Sequence, residues 1–340
     1  MKTFVKNIIC VCALFIIGAN AQSGSSLNKT GTTAAQFLKI GVGPRAIGMG
    51  GAFTASADDI NSMYWNPAGL ARMNSQEAFF NHVDWILDVK MDYAGFAMDV
   101  SNLGTLGAFI SVMSMDDMPV RTLQQPEGTG ELFSAGSIVI GVSFARNLTE
   151  EFSIGFNAKY VREHIWNESA KSFAFDAGTQ YVIPFLNEFR LGASISNFGM
   201  KMKMEGRDII QTTTVGSGEG NLINTDLQLD EFELPLLFRI GVAVDAIKSA
   251  ENRLTIAADA IHPNDNSEYI NAGMEYTWNE TFFIRGGYKS LLEDEGEQGF
   301  TLGAGINYRV LDAFKIKVDY AYQDFGRLKN VQYISVGVKF

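Results

Sequence analysis

The sequence predicts an all-β fold: a transmembrane antiparallel β-barrel of about 14 strands, with an N-terminal hatch, or plug, inside its lumen. Three observations predict it. Apolar and polar residues alternate with a period of two through most of the chain after residue 75, as they do where a strand turns alternate side chains to opposite faces. The apolar sets end in aromatics, as at a membrane interface. The alternating segments run to about ten residues, the length a tilted strand needs to cross a bilayer, whereas strands of soluble sheets are nearer five or six.

Residues 1–21 read as a secretory signal peptide. Lys2 and Lys6 precede an apolar core over residues 8–17, too short to span a bilayer, and Ala19-Asn20-Ala21 supplies the small-x-small cleavage pattern. The mature chain is expected to begin near Gln22. Both cysteines, Cys10 and Cys12, lie in the leader, so no disulfide or cysteine-ligated metal is expected afterwards. The net charge of −11, about −13 without the leader lysines, argues against a nucleic-acid surface, which needs a basic patch. With 34 Gly, 25 Phe and 11 Tyr against 7 Pro, the composition suits many long strands.

The alternation is plainest near the C-terminus, where Phe314, Ile316, Val318, Tyr320 and Tyr322 alternate with Lys315, Lys317, Asp319, Ala321 and Gln323. It recurs where Phe300, Leu302, Ala304, Ile306 and Tyr308 oppose Thr301, Gly303, Gly305, Asn307 and Arg309. Candidate strands fall at 77–88, 91–101, 104–114, 135–147, 151–163, 172–183, 188–197, 234–246, 252–261, 268–278, 281–290, 299–309, 313–323 and 330–340. Tyr160, Tyr181, Tyr276, Trp278, Tyr308, Tyr320 and Tyr322 cap the apolar faces.

Links after the even-numbered candidates are short, and most of those after the odd-numbered ones are longer, which is the arrangement of an outer-membrane barrel. The link after the first candidate, at Val89-Lys90, breaks the pattern. An even strand count places both termini in the periplasm. The final aromatic, Phe340, resembles the terminal signal read by bacterial barrel-assembly machinery. Closure is preferred to an open sheet because a bilayer offers no water to satisfy an unpaired edge.

Residues 22–75 precede the barrel, which occupies 76–340. A lumen this wide leaks unless it is plugged, and eight-stranded barrels alone fill with their own side chains. Pro44 is placed to open a short helix. Gly41, Gly43, Gly48, Gly50 and Gly51 permit tight turns. Asn66-Pro67 reads as the turn that leads from the plug towards the first strand.

Residues 36–71, with Asn66, Pro67 and Ala68 as an Asn-Pro-Ala motif, resemble the N-terminal segment of the PorV/PorQ family of Bacteroidota outer-membrane proteins, which are similar to FadL-type channels. The resemblance implies a hatch ahead of a 14-stranded barrel and an association with type IX protein secretion, through a translocon barrel or secreted cargo. It equally implies a FadL-like diffusion channel for hydrophobic small molecules. An accessory subunit of another outer-membrane complex is the third reading.

No catalytic residue, cofactor or metal site is expected. Gly41, Gly43 and Gly48 lack the dinucleotide spacing, and no G-x-S-x-G or H-E-x-x-H accompanies His82, His164 and His262. Asp58-Asp59 is either a cation site or, more simply, a pair bridged to lumen arginines, with Arg190, Arg239, Arg285 and Arg309 as candidates. The acidic run 293–297 is either solvated or holds Ca²⁺ bridged to lipopolysaccharide phosphates; lipid and lipopolysaccharide are the expected surroundings. The polar loop over 198–233 either binds a partner through Met200, Met202 and Met204, which repack easily, or folds on itself as a hairpin.

Overall fold

The computed structural model describes residues 29–184, 187–215, 220–293, 296–310 and 314–340. The expected signal peptide over residues 1–21 and the expected start at Gln22 lie outside these residues, as do Leu311-Asp312. Fourteen long strands form the wall: β1 (Glu77–Asp84), β2 (Lys90–Asp99), β3 (Thr105–Ser114), β4 (Ala135–Asn147), β5 (Phe152–Ile165), β6 (Glu168–Ile183), β7 (Phe189–Gly199), β8 (Leu237–Lys248), β9 (Asn252–Pro263), β10 (Tyr269–Trp278), β11 (Phe282–Leu291), β12 (Phe300–Val310), β13 (Phe314–Asp324) and β14 (Asn330–Lys339). Each pairs antiparallel with its sequence neighbours, and β1 closes on β14 with Glu77 opposite Lys339. No wall strand therefore has a free edge, which is what lipid requires. Among the described residues no helix is long and apolar enough to cross a membrane.

The two faces of the wall have the predicted chemistry. Outward residues such as Phe156, Ile240, Ile284, Leu302 and Ile334 are exposed, while inward Asn157, Arg239, Arg285, Thr301 and Ser335 are buried. A one-residue slip would exchange these sets, so burial of the polar face fixes the register. The outer aromatics form two girdles. One holds Phe152 against Tyr181, Trp278 stacked on Phe282, and Phe340 between Phe96 and Phe314. The other holds Tyr160 against Phe173 and Phe300 on Tyr322. The first girdle lies at the rim of the short links, called here the turn rim, and the second lies towards the opposite loop rim.

Two expectations about the links change, and the link after β7 takes up one of its two alternatives, the hairpin. β1 ends at Asp84, so Trp85–Val89 is a five-residue link containing a short 3₁₀ turn, Ile86–Asp88. β5 and β6 extend further than their alternation indicated, and only Trp166-Asn167 join them, with Trp166 at φ 50°. The link after β7 contains a hairpin, Ile210–Val215 with Asn221–Asp226, and a short strand Glu205–Gly206 that lengthens the edge beside β6.

The lumen holds residues 34–73, most of them buried. Pro44 occupies the first turn of a five-residue helix, Pro44–Gly48, where a missing N–H costs nothing. A second short helix, Ser62–Trp65, precedes Asn66. The described part of this segment runs from one rim to the other. Thr33 bridges Glu233, the Ala34 N–H donates to the Glu233 carbonyl at 2.9 Å, and Lys39 reaches Asp265 at 3.0 Å. Glu233 and Asp265 belong to links at the loop rim, whereas β1 starts and β14 ends at the turn rim. The barrel ends share a rim, as an even strand count demands, but the hatch threads the lumen from the other one.

Candidate functional site

The hatch is held differently on its two sides, and the difference defines the candidate site. On the side of β10–β13 the contact is charged. Arg45 makes a bidentate pair with Glu275, both bonds 3.0 Å, and also bonds Asp59 at 3.0 Å and Asp58. Lys317 reaches Asp59 at 3.2 Å. Arg285, fully buried, joins Glu275 and Asp319 at 2.6 Å each. The Asp59 carboxylate is thus buried between two cations, Lys317 and Arg45. Asp58-Asp59 is therefore an ion-paired element. Its partners are Arg45 and Lys317; of the four arginines expected, only Arg285 belongs to the same network, through Glu275. Arg190 pairs with Asp245, Arg239 bonds Ser196, and Arg309 is exposed.

On the side of β2–β4 the contact is apolar and incomplete. Phe37, Leu38, Val42, Met63 and Tyr64 of the hatch face Met91, Tyr93, Phe109 and Val139 of the wall across a cavity of about 30 Å³. Tyr93 and Phe109 stack at 5.7 Å. One end of the cavity is polar. There Asp176 takes hydrogen bonds from Asn157 and from the Asn197 N–H, both 2.7 Å, and an ion pair from Lys159 at 2.6 Å. Arg239 lies over Tyr64 and Trp65 at 5.7 and 5.6 Å and donates to Ser196 at 2.9 Å.

This polar end sits on the irregular part of the wall. Between Phe175↔Phe198 and Ala177↔Ile195 the β6–β7 register slips, setting Ser196 and Asn197 against the single residue Asp176. Asn197 adopts φ 65°, and both residues of the bulge point inward. Sequence periodicity gave no sign of it, since Ser194, Ser196 and Asn197 read as ordinary inner-face polar residues.

The Asn-Pro-Ala motif is a junction of three parts. Asn66 is fully buried; its amide donates to the Thr54 carbonyl in the hatch at 2.8 Å and to the Thr179 carbonyl of β6 at 3.0 Å. Its side-chain oxygen caps the 3₁₀ helix Pro67–Arg72 by accepting from the Ala68 N–H at 3.2 Å. Pro67 and Ala68 lie against Gly155 of β5. The motif thus packs on β5 and β6 before the chain crosses to β1, rather than turning directly into the first strand. Asn66→Ala is expected to cost about 1–3 kcal/mol, through loss of the cap and two buried hydrogen bonds. A lowered thermal midpoint in detergent, with the barrel still assembled, checks this.

The hatch glycines divide by cause. Gly43, Gly50 and Gly51 have φ of 84°, 67° and 77°, which other residues rarely adopt. Gly41 and Gly48 are needed for space: a Cβ would stand 2.6 Å from the Ile47 side chain and 3.0 Å from the Gly303 Cα. The methionines of the long link do not form a common edge. Met200 is exposed, whereas Met202 is buried and bridges Phe232, and Met204 packs against the core. The acidic run is occupied by protein donors, Glu293 by Asn266 at 2.7 Å and Glu297 by Arg327; Asp294 and Glu295 lie outside the described residues. His82, His164 and His262 stand on β1, β5 and β9, on the outer face of the wall.

What the sequence reading missed is the inner glycine surface. Gly155, Gly178, Gly192, Gly273 and Gly287 present bare backbone to the hatch, where an added Cβ would overlap its main chain or the Asn66 side chain. The signal was present in the polar half of each alternation, where glycine recurs among Thr, Asn and Lys.

A profile described as uncharacterised protein family UPF0164 matches residues 14–161. A UPF0164 protein of Treponema pallidum (strain Nichols) is 24% identical over 231 residues, 63% of this chain and 70% of its own length. Among solved structures, the Pseudomonas putida toluene transporter TodX is similar with a TM-score of 0.55 and 14% identity, over 88% of this chain and 97% of TodX. The CymD monoaromatic hydrocarbon channel has the same values. A Pseudomonas aeruginosa FadL homologue matches with a TM-score of 0.51 and 12% identity, over 86% and 96% of the two chains. At these identities the shared property is the fold, a FadL-type outer-membrane barrel.

Proposed function

We propose that this chain is a FadL-like outer-membrane channel for small hydrophobic molecules, with the loop rim outside and both barrel ends in the periplasm. The observation that carries the reading is the apolar seam between the hatch and β2–β4. A charged lumen filled evenly by its plug would have no such surface. The fold shared with hydrocarbon channels supports it.

The cavity as it stands accommodates about one water, whereas a benzene-binding cavity is on the order of 150 Å³. Passage therefore requires the hatch segment that carries Phe37 and Leu38 to lift. That segment is latched at the loop rim, where Thr33, Gln36 and Lys39 all converge on the Asp265 carboxylate. Burial opposes ionisation of Asp265, but these three donors outweigh it and hold the carboxyl below its ordinary range.

A disulfide lock tests the reading. Thr33 and Glu233 are β-bridge partners, close enough for a cysteine pair, and both native cysteines, Cys10 and Cys12, fall within the first 21 residues. Toluene entry into proteoliposomes is expected to fall in oxidised Thr33→Cys/Glu233→Cys protein and to recover on reduction. Entry that ignores the redox state, or that matches protein-free vesicles, rejects the channel.

A second reading follows from the resemblance to the PorV/PorQ family: an interaction subunit of type IX secretion. The observation in its favour is the loop-rim hairpin, which exposes Ile210, Leu222 and Ile223. Recovery of a translocon barrel or sorting-domain cargo from native membranes, lost on deletion of residues 200–224, would favour it over the channel.

A further inference from the structure

Arg162 of β5 and Lys171 of β6 lie directly opposite each other on the outer face of the wall, both exposed. The adjoining edge is Glu205–Gly206, with Glu205 opposite Ser169. Lys203 lies two residues before that strand, in the same link. Arg162 and Lys171 thus form a row across β5 and β6, with Lys203 two residues from the strand paired beside them. Among the described residues none of the three has a carboxylate within 4 Å, although the chain as a whole carries a net charge of −11. Like charges directly opposite each other destabilise a strand pair unless something lies between them.

The row has a fixed relation to the lipid-facing surface. One step below it on the same face is the girdle pair Tyr160↔Phe173, with rings 5.4 Å apart. Below and beside that pair lies an apolar patch of Phe173, Phe175, Phe198 and Met200, exposed by 54, 58, 64 and 60%. The surface therefore offers cations at headgroup height and an aromatic apolar face at acyl height. A free anion has no use for the second part.

We infer that Arg162, Lys171 and Lys203 form a binding site for a phosphorylated lipid headgroup on the outer wall at the loop rim, with the acyl chains lying against Phe173, Phe175 and Phe198. Clusters of Lys and Arg at the membrane surface attract anionic lipid by such contacts. The site is independent of the lumen and of what the barrel conducts.

The test is native mass spectrometry of the detergent-purified full chain with lipid A, dephosphorylated lipid A or inorganic phosphate added. Wild type is expected to retain lipid A at concentrations where Arg162→Gln/Lys171→Gln/Lys203→Gln protein binds about tenfold less or worse. Removing the lipid's phosphates is expected to abolish that difference. A control variant, Arg121→Gln/Lys329→Gln, changes exposed cations elsewhere and is expected to bind as wild type. Equal binding by the triple variant overturns the inference, as does an equal loss in the control. Displacement of lipid A by comparable concentrations of inorganic phosphate would mean an ion site only, and also overturns it.

Discussion

Gly287→Val is expected to prevent the hatch from seating, while Gly286→Val, one residue earlier, leaves the protein unchanged. The two glycines are consecutive in β11 and face opposite sides of the wall. A Cβ on Gly287 would overlap the Gly50 N–H and the Met49 carbonyl carbon, whereas a Cβ on Gly286 meets nothing within 4 Å. Main chain cannot rotate away as a side-chain tip can, and Gly50 is already held at φ 67°. The penalty therefore exceeds the usual 1–3 kcal/mol of an overpacked core, by a margin that puts it at about 4 kcal/mol or more. On the lipid face, valine replaces a residue poor in strand preference with a good one. The unfolding midpoint on heated gels separates the cases: a large fall for Gly287→Val, none or a small rise for Gly286→Val. Equal effects would mean that the hatch does not lie on β11.

Arg45→Met is expected to destabilise the folded barrel by about 3–5 kcal/mol, the usual penalty for removing one partner from a buried ionic group. Arg45 is the hatch's cation in the network, and it satisfies three carboxylates at once. Without it, Glu275 keeps Arg285 and Asp59 keeps Lys317, so two cations remain for four acids, counting Asp58 and Asp319. Methionine preserves much of the volume beside Phe53, over which the guanidinium lies at 5.1 Å. The loss is therefore electrostatic more than steric. Because the network is buried, added salt should restore little of it. Thermal melts of Arg45→Met and Arg45→Met/Glu275→Gln check this: the second change is expected to recover part of the loss, since it lowers the excess of buried acids over cations. An exposed, weakly coupled Arg45 would give a shift below about 1 kcal/mol.

The wall was legible because lipid on one face and a packed plug on the other impose strict alternation on every strand. Even Lys317 and Asp319, both charged and both buried, announce an inner face by their spacing. The hatch was legible as a unit from its position and its glycines, and Pro44 marked its helix. The pairing inside was not. Arg45 and Glu275 are 230 residues apart, and nothing local to either specifies the other. The β7 bulge was hidden because Ser196 and Asn197 are polar and either register buries polar atoms. Met202 misled for a related reason: Met suits an exposed adaptable edge and a core gap equally well, and here it fills the core.

The thread of the hatch from rim to rim bears on how the chain reaches this state. Some of its contacts with the wall are among the most distant in the sequence: the Gly50 N–H meets Thr301 across 251 residues, and Asp59 meets Lys317 across 258. Each such closure loses a large loop's worth of freedom before any contact rewards it. Until β10 arrives, Arg45 lacks its wall partner Glu275, and the early segment must be kept from aggregating. Once β1 pairs with β14, the ring surrounds a strand of its own chain, and the only exit is for the N-terminal end to slide back through the lumen. The order of events is then constrained by geometry: ring and thread mature together.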